Sequence, residues 1–325
     1  MIRKFDRRAE GTFPAFLGIG AQRAGTGWLY HNLKNHPDIW TAPVKELHYF
    51  DTLTKADSLS ARLLSSAWWR DVAVRSLRDW VPWSHGTLQW DFRYYFGRRN
   101  DDWYTSLFFA AGKRKAGEIT PAYSTLDSDT VAHIREIMPD IRIIFMMRDP
   151  LDRAWSHAIN RLVGVDKLKF ENIKEEQFIR HIDSEDSWLR TDYMRTIRNW
   201  ERHFPTSQIF YGFYDDIAQR PESLISSIYR FLQVDPGRAV SDNMPRRRVK
   251  RQMGGKYEIP INVQIYAAEK YYGLLTDLSA RFGNQTDTWL AKARSILENA
   301  GRSLPIVSPH PVKAIDSALR REHPL

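Results

Sequence analysis

Three stretches of this 325-residue sequence hold residue types able to do chemistry on an anion or a hydroxyl group. The first is GAQRAGTG, Gly20 to Gly27, which follows a short apolar run and precedes a helical pattern. At a strand-to-helix junction, backbone N–H groups and a helix N-terminus together create an anion site. Gly20 and Gly25 keep the G-x₄-G spacing of a nucleotide phosphate loop, but Thr26-Gly27 stands where such loops carry Lys-Ser/Thr. The lysine that reaches terminal phosphates and the hydroxyl that anchors Mg²⁺ are missing from their usual places. The loop's cation is Arg23. The stretch predicts a seat for an anion other than a triphosphate–magnesium complex; a Gly-rich turn that only lets a helix pack closely on a strand is the competing reading.

The second stretch is KELHYFD, Lys45 to Asp51. If extended, it points Glu46 and His48 to one side, because side chains alternate along a strand. A carboxylate beside an imidazole is a general-base arrangement in which each group tunes the other. A solvated strand edge with a chance pairing is the alternative. The third stretch follows the apolar run IRIIFMM: Arg148, then Asp149-Pro150 opening a helix with Arg153, Ser156 and His157. An arginine at a strand's carboxyl end and a serine on the next helix both reach the crevice where open α/β sheets bind ligands. The guanidinium fork suits a phosphate. A late basic run, Arg246, Arg247, Arg248, Lys250, Arg251 and Lys256, lies beside Gly254-Gly255. It reads as a lid over an anion, a surface for an acidic acceptor, or a solvated loop.

The elements that must position these groups alternate. Residues 13–20 read as a buried strand, and residues 26–36 as a helix stopped by Pro37. Residues 141–147 form a second strand, apolar almost throughout, as a strand covered on both faces should be. Asp149 caps the next helix and Pro150 suits its first position. Leu151, Ala154, Trp155, Ala158, Ile159 and Leu162 make its apolar stripe. Residues 187–204 read as one helix, 208–214 as a strand, and 221–232 and 261–282 as helices. The expected fold class is α/β, a P-loop-like three-layer fold with a central parallel sheet flanked by helices. Residues 1–283 are expected to form a single domain and residues 284–325 a helical extension or tail.

Composition bounds the partners. With 42% hydrophobic and 27% charged residues the chain is an ordinary globular protein. Its 48 Lys+Arg against 39 Asp+Glu leave +9, which predicts an anionic partner. The absence of cysteine removes disulfides, Cys-based zinc sites and Cys nucleophiles. No signal-peptide pattern and no long apolar run is found, so the sequence reads as soluble and cytoplasmic, without integral membrane contact. No helix-turn-helix, RNP or zinc-finger signature supports a nucleic-acid partner. Trp68, Trp69, Trp80, Trp83 and Trp90 cluster in one stretch, as an aromatic acceptor pocket or as core and interface packing.

Together these residues resemble the sulfotransferases that use 3′-phosphoadenosine-5′-phosphosulfate, in the branch typified by heparan sulfate sulfotransferases and their bacterial relatives. FLGIGAQRAGTGWLYHNLKNHPDI resembles that family's 5′-phosphosulfate loop, KELHYFD its catalytic segment, and GEITPAYS its Glu-Lys-Thr/Ser-Pro-x-Tyr segment. RDPLDRAWSH is similar to its 3′-phosphate motif, and FYGFYDDIAQRPESLISSIYRFLQV to its later strand and helix. The resemblance implies in-line transfer of a sulfuryl group to an acceptor hydroxyl of a carbohydrate, lipid or small molecule. The product would be 3′,5′-phosphoadenosine, and no metal is required.

Carried over, Arg23, Ala24, Gly25, Thr26, Gly27 and Trp28 would hold the phosphosulfate end, and Arg148 and Ser156 the 3′-phosphate. Arg246, Arg247 and Arg248 would lie over the nucleotide. Glu46 would be the base, with Arg23 and His48 at the reacting centre and His48, Asp51 and Tyr123 beside the acceptor. Two departures stand out: Arg23 replaces the family's usual loop lysine, and Ile119 replaces the lysine of the Glu-Lys-Thr-Pro segment. The second argues against a glycosaminoglycan acceptor. A kinase-like phosphotransferase and a family member that binds the nucleotide without catalysis remain as alternatives, and homo-oligomer formation stays open.

Overall fold

The computed structural model describes residues 13–53, 88–239 and 257–305. In chain order these form β1 (Phe16–Gly20), α1 (Thr26–Lys34), β2 (Ile39–Thr41), α2 (Phe50–Leu53), α3 (Leu88–Phe96) and α4 (Asp101–Ser106). Next come β3 (Lys115–Ile119), a 3₁₀ turn (Pro121–Thr125), α5 (Ser128–Ile137), β4 (Arg142–Met147) and α6 (Pro150–Ile159). Then follow α7 (Glu175–Asp183), α8 (Glu185–Thr191), α9 (Tyr193–Glu201), β5 (Ile209–Phe213), α10 (Tyr214–Gln219) and α11 (Pro221–Phe231). The helices α12 (Ile261–Phe282) and α13 (Gln285–Asn299) complete the series.

The five strands form one sheet in the order β2-β3-β1-β4-β5, and every neighbouring pair is parallel. Ile143 to Met147 of β4 are all within 1% of complete burial, as a parallel strand sandwiched between helical layers requires. The expected α/β architecture with a parallel sheet between helices is the one observed. Leaving β1 the chain crosses toward β2, and leaving β4 it crosses toward β5 on the other side. The carboxyl ends of the adjacent β1 and β4 therefore flank the point where strand order reverses, the crevice in which such sheets bind ligands.

β2 and β3 did not stand out in the sequence. β2 is three residues long, and β3, KAGEI, carries a Lys, a Gly and a Glu that hide its pattern. Gly117 of β3 is required by close packing: a Cβ there would lie 2.5 Å from the ring of the fully buried Phe16 on β1.

Two expectations are corrected. The segment Lys45 to Asp51 is not a strand; Glu46 and His48 take positive φ of 68° and 53°, and α2 begins at Phe50. The stretch 187–204 is two helices, not one. Asp192 separates them because its side chain accepts from the Arg195 N–H at 2.9 Å, capping α9.

The chain divides into two compact units, residues 1–258 and 259–325. In the second unit α12 and α13 pack along each other. Gly283 and Asn284, at φ of 63° and 47°, turn the chain between them. The Thr286 hydroxyl closes the turn by donating to Leu278 O at 3.0 Å. Residue 283, where the sequence reading put its boundary, lies within the second unit, at the turn between its two helices. Among the described residues no helix is long and apolar enough to cross a membrane.

Gly117→Ala should force Phe16 from its seat and cost about 1–3 kcal/mol, as overpacking does. The measurement is a urea melt, in which the midpoint should fall at unchanged slope; an unchanged midpoint would mean that Phe16 has room to yield.

Candidate functional site

The loop after β1 is built around Gly25. Its φ of 87° is left-handed, and a Cβ would lie 2.3 Å from Ile217 Cδ1 on α10, so both backbone and space demand glycine. As the N-cap of α1, Gly25 offers no side-chain acceptor, and the first turn of α1 has no acidic residue. The positive end of that helix is thus left for an external anion. Ala24, Thr26 and Trp28 are buried and Gly27 is exposed.

The loop after β4 lies against it. Ala21 N donates to Met146 O at 2.6 Å, and Arg148 Nη1 donates to Arg23 O at 3.3 Å. Asp149 caps α6 by accepting from Leu151 N at 2.9 Å, with Pro150 at the first position as expected. Arg148 stacks its guanidinium 4.6 Å from the Tyr214 ring centroid, and its carbonyl accepts from Tyr193 Oη at 2.9 Å. Arg23 reaches across to α6: its Nε donates to Ser156 Oγ at 3.1 Å and its Nη1 to Asn160 Oδ1 at 3.3 Å. Asn160 stands where α6 passes into a π-helical turn, Asn160–Val165.

Arg153 is fully buried, and its Nη2 donates to Ser187 O, Ser187 Oγ and Thr191 Oγ1 at 3.1, 3.2 and 2.6 Å. It anchors α8 to α6. Burial first, and then the positive neighbours Arg148 and Arg153, lower the pKa of Arg23. Three guanidiniums are therefore gathered where the two loops meet.

Glu46 and His48 are brought together, but by two left-handed residues and not by a pleat. His48 Nε2 is 3.6 Å from Glu46 Oε2, and its Nδ1 is 2.8 Å from Asp51 Oδ2. Lys45 Nζ also contacts Glu46 Oε1. The side chains of Glu46 and His48 keep 35% and 28% of their surface exposed, so both are open to solvent. Burial alone would raise the Glu46 pKa, but His48 and Lys45 outweigh it and hold it at about 2. Burial alone would lower the His48 pKa, but hydrogen bonds and charge from Asp51 and Glu46 raise it to about 9.

A residue the sequence did not single out holds this loop. Glu118, at the end of β3, is 1% exposed and takes four donors onto its two oxygens. Tyr104 Oη and Tyr123 Oη donate to Oε1 at 2.7 and 2.9 Å. Thr120 Oγ1 and Leu47 N donate to Oε2 at 2.7 and 3.3 Å. Tyr123 Oη in turn accepts from Tyr49 N at 3.1 Å. The amides on either side of His48 are thus fixed by one carboxylate, directly and through Tyr123. The signal that could have found it is a lone Glu in an otherwise apolar strand end, followed by Thr, Pro and Tyr. Tyr123, expected beside the acceptor, is fully buried and acts on the loop's backbone instead.

The same support reaches the Gly loop. Thr120 N donates to Gly18 O at 2.9 Å, and a Cβ on Gly20 would lie 2.9 Å from Ser124 Cβ. Tyr30 Oη on α1 donates to Ala42 O and Pro43 O at 2.9 and 3.1 Å, holding the start of the Glu46 loop. Trp90 is buried, stacks on Tyr94 at 5.0 Å between centroids and donates to Leu107 O at 2.8 Å, which is core packing. Trp68, Trp69, Trp80, Trp83 and the basic run with Arg246, Arg247 and Arg248 lie outside the described residues. Among the described residues no three His, Asp or Glu side chains gather to hold a metal ion.

Comparison with known proteins bears on what this arrangement does. Residues 14–236 match the family model described as "Sulfotransferase family". The chain is similar to heparan sulfate glucosamine 3-O-sulfotransferase 6 of Mus musculus, with 23% identity over 222 residues, 68% of this chain and 52% of that protein. It is also similar to heparan sulfate glucosamine 3-O-sulfotransferase 3B1 of Homo sapiens, with 24% identity over 231 residues, 70% of this chain and 48% of that one. The chain spans about half the length of these curated relatives. Among solved structures it is similar to a sulfotransferase from Alicyclobacillus acidocaldarius, at a TM-score of 0.58 and 21% identity, covering 86% of this chain and 99% of that one. That likeness bears on the fold.

The pKa shifts predict a pH dependence of stability. His48 is raised above its ordinary 6.5, so its ion pairs stabilise fully below pH 6.5 and are lost as pH rises through about 9. Glu46 is lowered from 4.5, so its contribution is present above that pH and lost as pH falls toward about 2. Urea melts of the ligand-free chain between pH 6.5 and 9 should show a decline that His48→Gln removes. Parallel profiles for the two proteins would refute the assignment.

Proposed function

The chain belongs to the sulfotransferase family, and on that footing we propose that it moves a sulfuryl group from 3′-phosphoadenosine-5′-phosphosulfate to an acceptor hydroxyl. The observation that carries this reading is the pair of anion seats joined at the switch point of the sheet. One is the left-handed Gly25 loop at the start of α1, and the other is the cluster of Arg148, Ser156 and Arg23 at the start of α6. A nucleotide with a charged group at each end fits two such seats. A triphosphate with magnesium fits them less well, because Thr26-Gly27 replaces the Lys-Ser/Thr that would grip it.

Bound, the nucleotide supplies an activated sulfuryl group and a leaving phosphate. The chain supplies position and charge, which dominate transfers of this kind. The backbone of Gly25, Thr26 and Gly27 holds the phosphosulfate end, with Ala24 and Trp28 fixing the loop from the core side. Arg148 and Ser156 hold the 3′-phosphate. Glu46 accepts the proton of the acceptor hydroxyl as its oxygen bonds to sulfur. His48, charged and hydrogen-bonded to Asp51, keeps the Glu46 carboxylate ionised and oriented. An arriving anion offsets the positive charge of Lys45 and His48 and so raises the basicity of Glu46 from its resting value.

The acceptor is a small molecule or a glycan bearing a hydroxyl. With Ile119 buried where the family's lysine stands, the Glu46 pocket lacks that positive charge for an acidic glycosaminoglycan. The basic residues Arg246, Arg247 and Arg248 follow the second anion seat in the chain and are assigned to the nucleotide.

Thermal denaturation with 3′,5′-phosphoadenosine, with ATP–Mg²⁺ and with neither tests the reading. The bisphosphate should raise the transition, by an amount equivalent to about 2.7 kcal/mol at a hundredfold excess over its Kd. Stabilisation by ATP–Mg²⁺ alone would instead support a phosphotransferase. Glu46→Gln should reduce transfer to an acceptor library at least a hundredfold, the usual weight of a general base, with bisphosphate binding retained. Retained transfer would remove Glu46 as the base.

A further inference from the structure

We infer that the outer face of α3, together with the 3₁₀ turn Phe109–Ala111, docks the chain on an anionic lipid bilayer surface without crossing it. A helix at a protein's surface ordinarily turns its apolar side inward and its polar side to water. α3 departs from that rule. Trp90, Asp91 and Tyr94 on its inner side are buried, while Phe92 and Phe96 stand 66% and 73% exposed. Four residues apart, the two phenylalanines share one face, with ring centroids 5.2 Å apart. Phe109 extends the surface at 45% exposure, and the Arg93 guanidinium lies 5.4 Å from its ring centroid. No other Phe among the described residues is exposed.

The inner side of α3 is firmly held, so the outer rings are a standing surface. Tyr94 stacks on Trp90 at 5.0 Å, and Trp103 Nε1 donates to Arg93 O at 2.7 Å. Gly97 lets the helix end against Trp103, since a Cβ there would lie 2.2 Å from Trp103 Cδ1. Charge decides what the rings meet. Residues 92–100 and 107–117 contain Arg93, Arg98, Arg99, Lys113, Arg114 and Lys115 and no Asp or Glu. The neighbouring acids in sequence are the buried Asp91 and, at the start of α4, Asp101 and Asp102. Arg98, Lys113 and Arg114 are exposed. Arg114 is held at the end of the turn, with Nε donating to Ala111 O and Nη2 to Ala110 O at 3.0 and 3.1 Å.

Exposed phenylalanines among cations, with no acid between them, suit the boundary of an anionic bilayer. Rings enter at the level where headgroups meet acyl chains, and Arg and Lys meet the anionic headgroups. A nucleic-acid base would need an open ring face to stack on, and Phe92 and Phe96 lie against one another. The contact is peripheral, since among the described residues no helix is long and apolar enough to cross a membrane. It is independent of the nucleotide reading.

The test is co-sedimentation of the full chain with vesicles of equal parts phosphatidylcholine and phosphatidylglycerol, and with phosphatidylcholine alone. The chain should partition onto the anionic vesicles at least about tenfold more strongly, and added salt should weaken that binding. Phe92→Ser combined with Phe96→Ser should lower the partition roughly tenfold or more. The thermal transition of that variant should stay close to the unmodified chain's, because both side chains already face water. Arg114→Gln should lower the partition by about threefold to fivefold, the weight of one cation at such a surface.

Equal binding to both kinds of vesicle, or none to either, would overturn the inference. So would anionic binding that the double Phe variant leaves unchanged; should that variant fail to fold, unchanged binding by Arg114→Gln would do the same. A dimer in sedimentation velocity that the Phe substitutions abolish, without vesicle binding, would assign the face to a second copy of the chain. Binding of single-stranded DNA in place of vesicles would assign it to nucleic acid. Either result would overturn the bilayer as its partner, and neither touches the nucleotide reading.

Discussion

The backbone of the Glu46 loop hangs on one buried carboxylate. Glu118 is buried at the end of β3, where a charge is costly unless every lone pair is used. Here four donors use them, and two lead to the backbone of the Glu46 loop. Burial raises the Glu118 pKa on balance, although the hydrogen bonds from Thr120, Tyr104, Tyr123 and Leu47 pull the other way. Two left-handed residues, Glu46 and His48, costly in an unsupported loop, persist because the amides after each are held.

The same economy governs the anion seats. Each loop alone is ordinary: a glycine turn, and an arginine after a strand. Joined by the bond from Arg148 to the Arg23 carbonyl, they form a positive corner at the place where the sheet's connections diverge. Arg153 adds charge to this corner from a fully buried position, with its Nη2 bonded to Ser187 and Thr191. Tyr193, at the start of α9, closes the ring by donating to the Arg148 carbonyl.

Much of this was legible beforehand, for reasons tied to particular residues. β1, β4, β5 and α6 announce themselves because their apolar runs and caps are local signals: Asp149 and Pro150 act within one turn. Glu46, His48, Asp51, Arg148 and Ser156 were legible as chemistry-bearing types at suggestive spacings. Glu118 and Asn160 were not, because their importance lies in partners distant along the chain, as with the sequence separation of 71 from Leu47 to Glu118. The left-handed turns at Glu46 and His48 were hidden too, since no glycine or asparagine marks either position. Alternation predicted the right neighbours there by the wrong geometry.

The shared support of the two loops has a kinetic side. A Gly loop fixed by Gly25 and Ser124, and an arginine fixed by Tyr214 and Tyr193, lose their conformational freedom when the chain folds. Little rearrangement then remains for the moment of encounter. With 48 basic against 39 acidic residues, the field of the whole molecule would draw the proposed nucleotide toward this corner. On that proposal, ionic strength acts chiefly on how fast the anion arrives, and the hydrogen bonds of the corner on how long it stays.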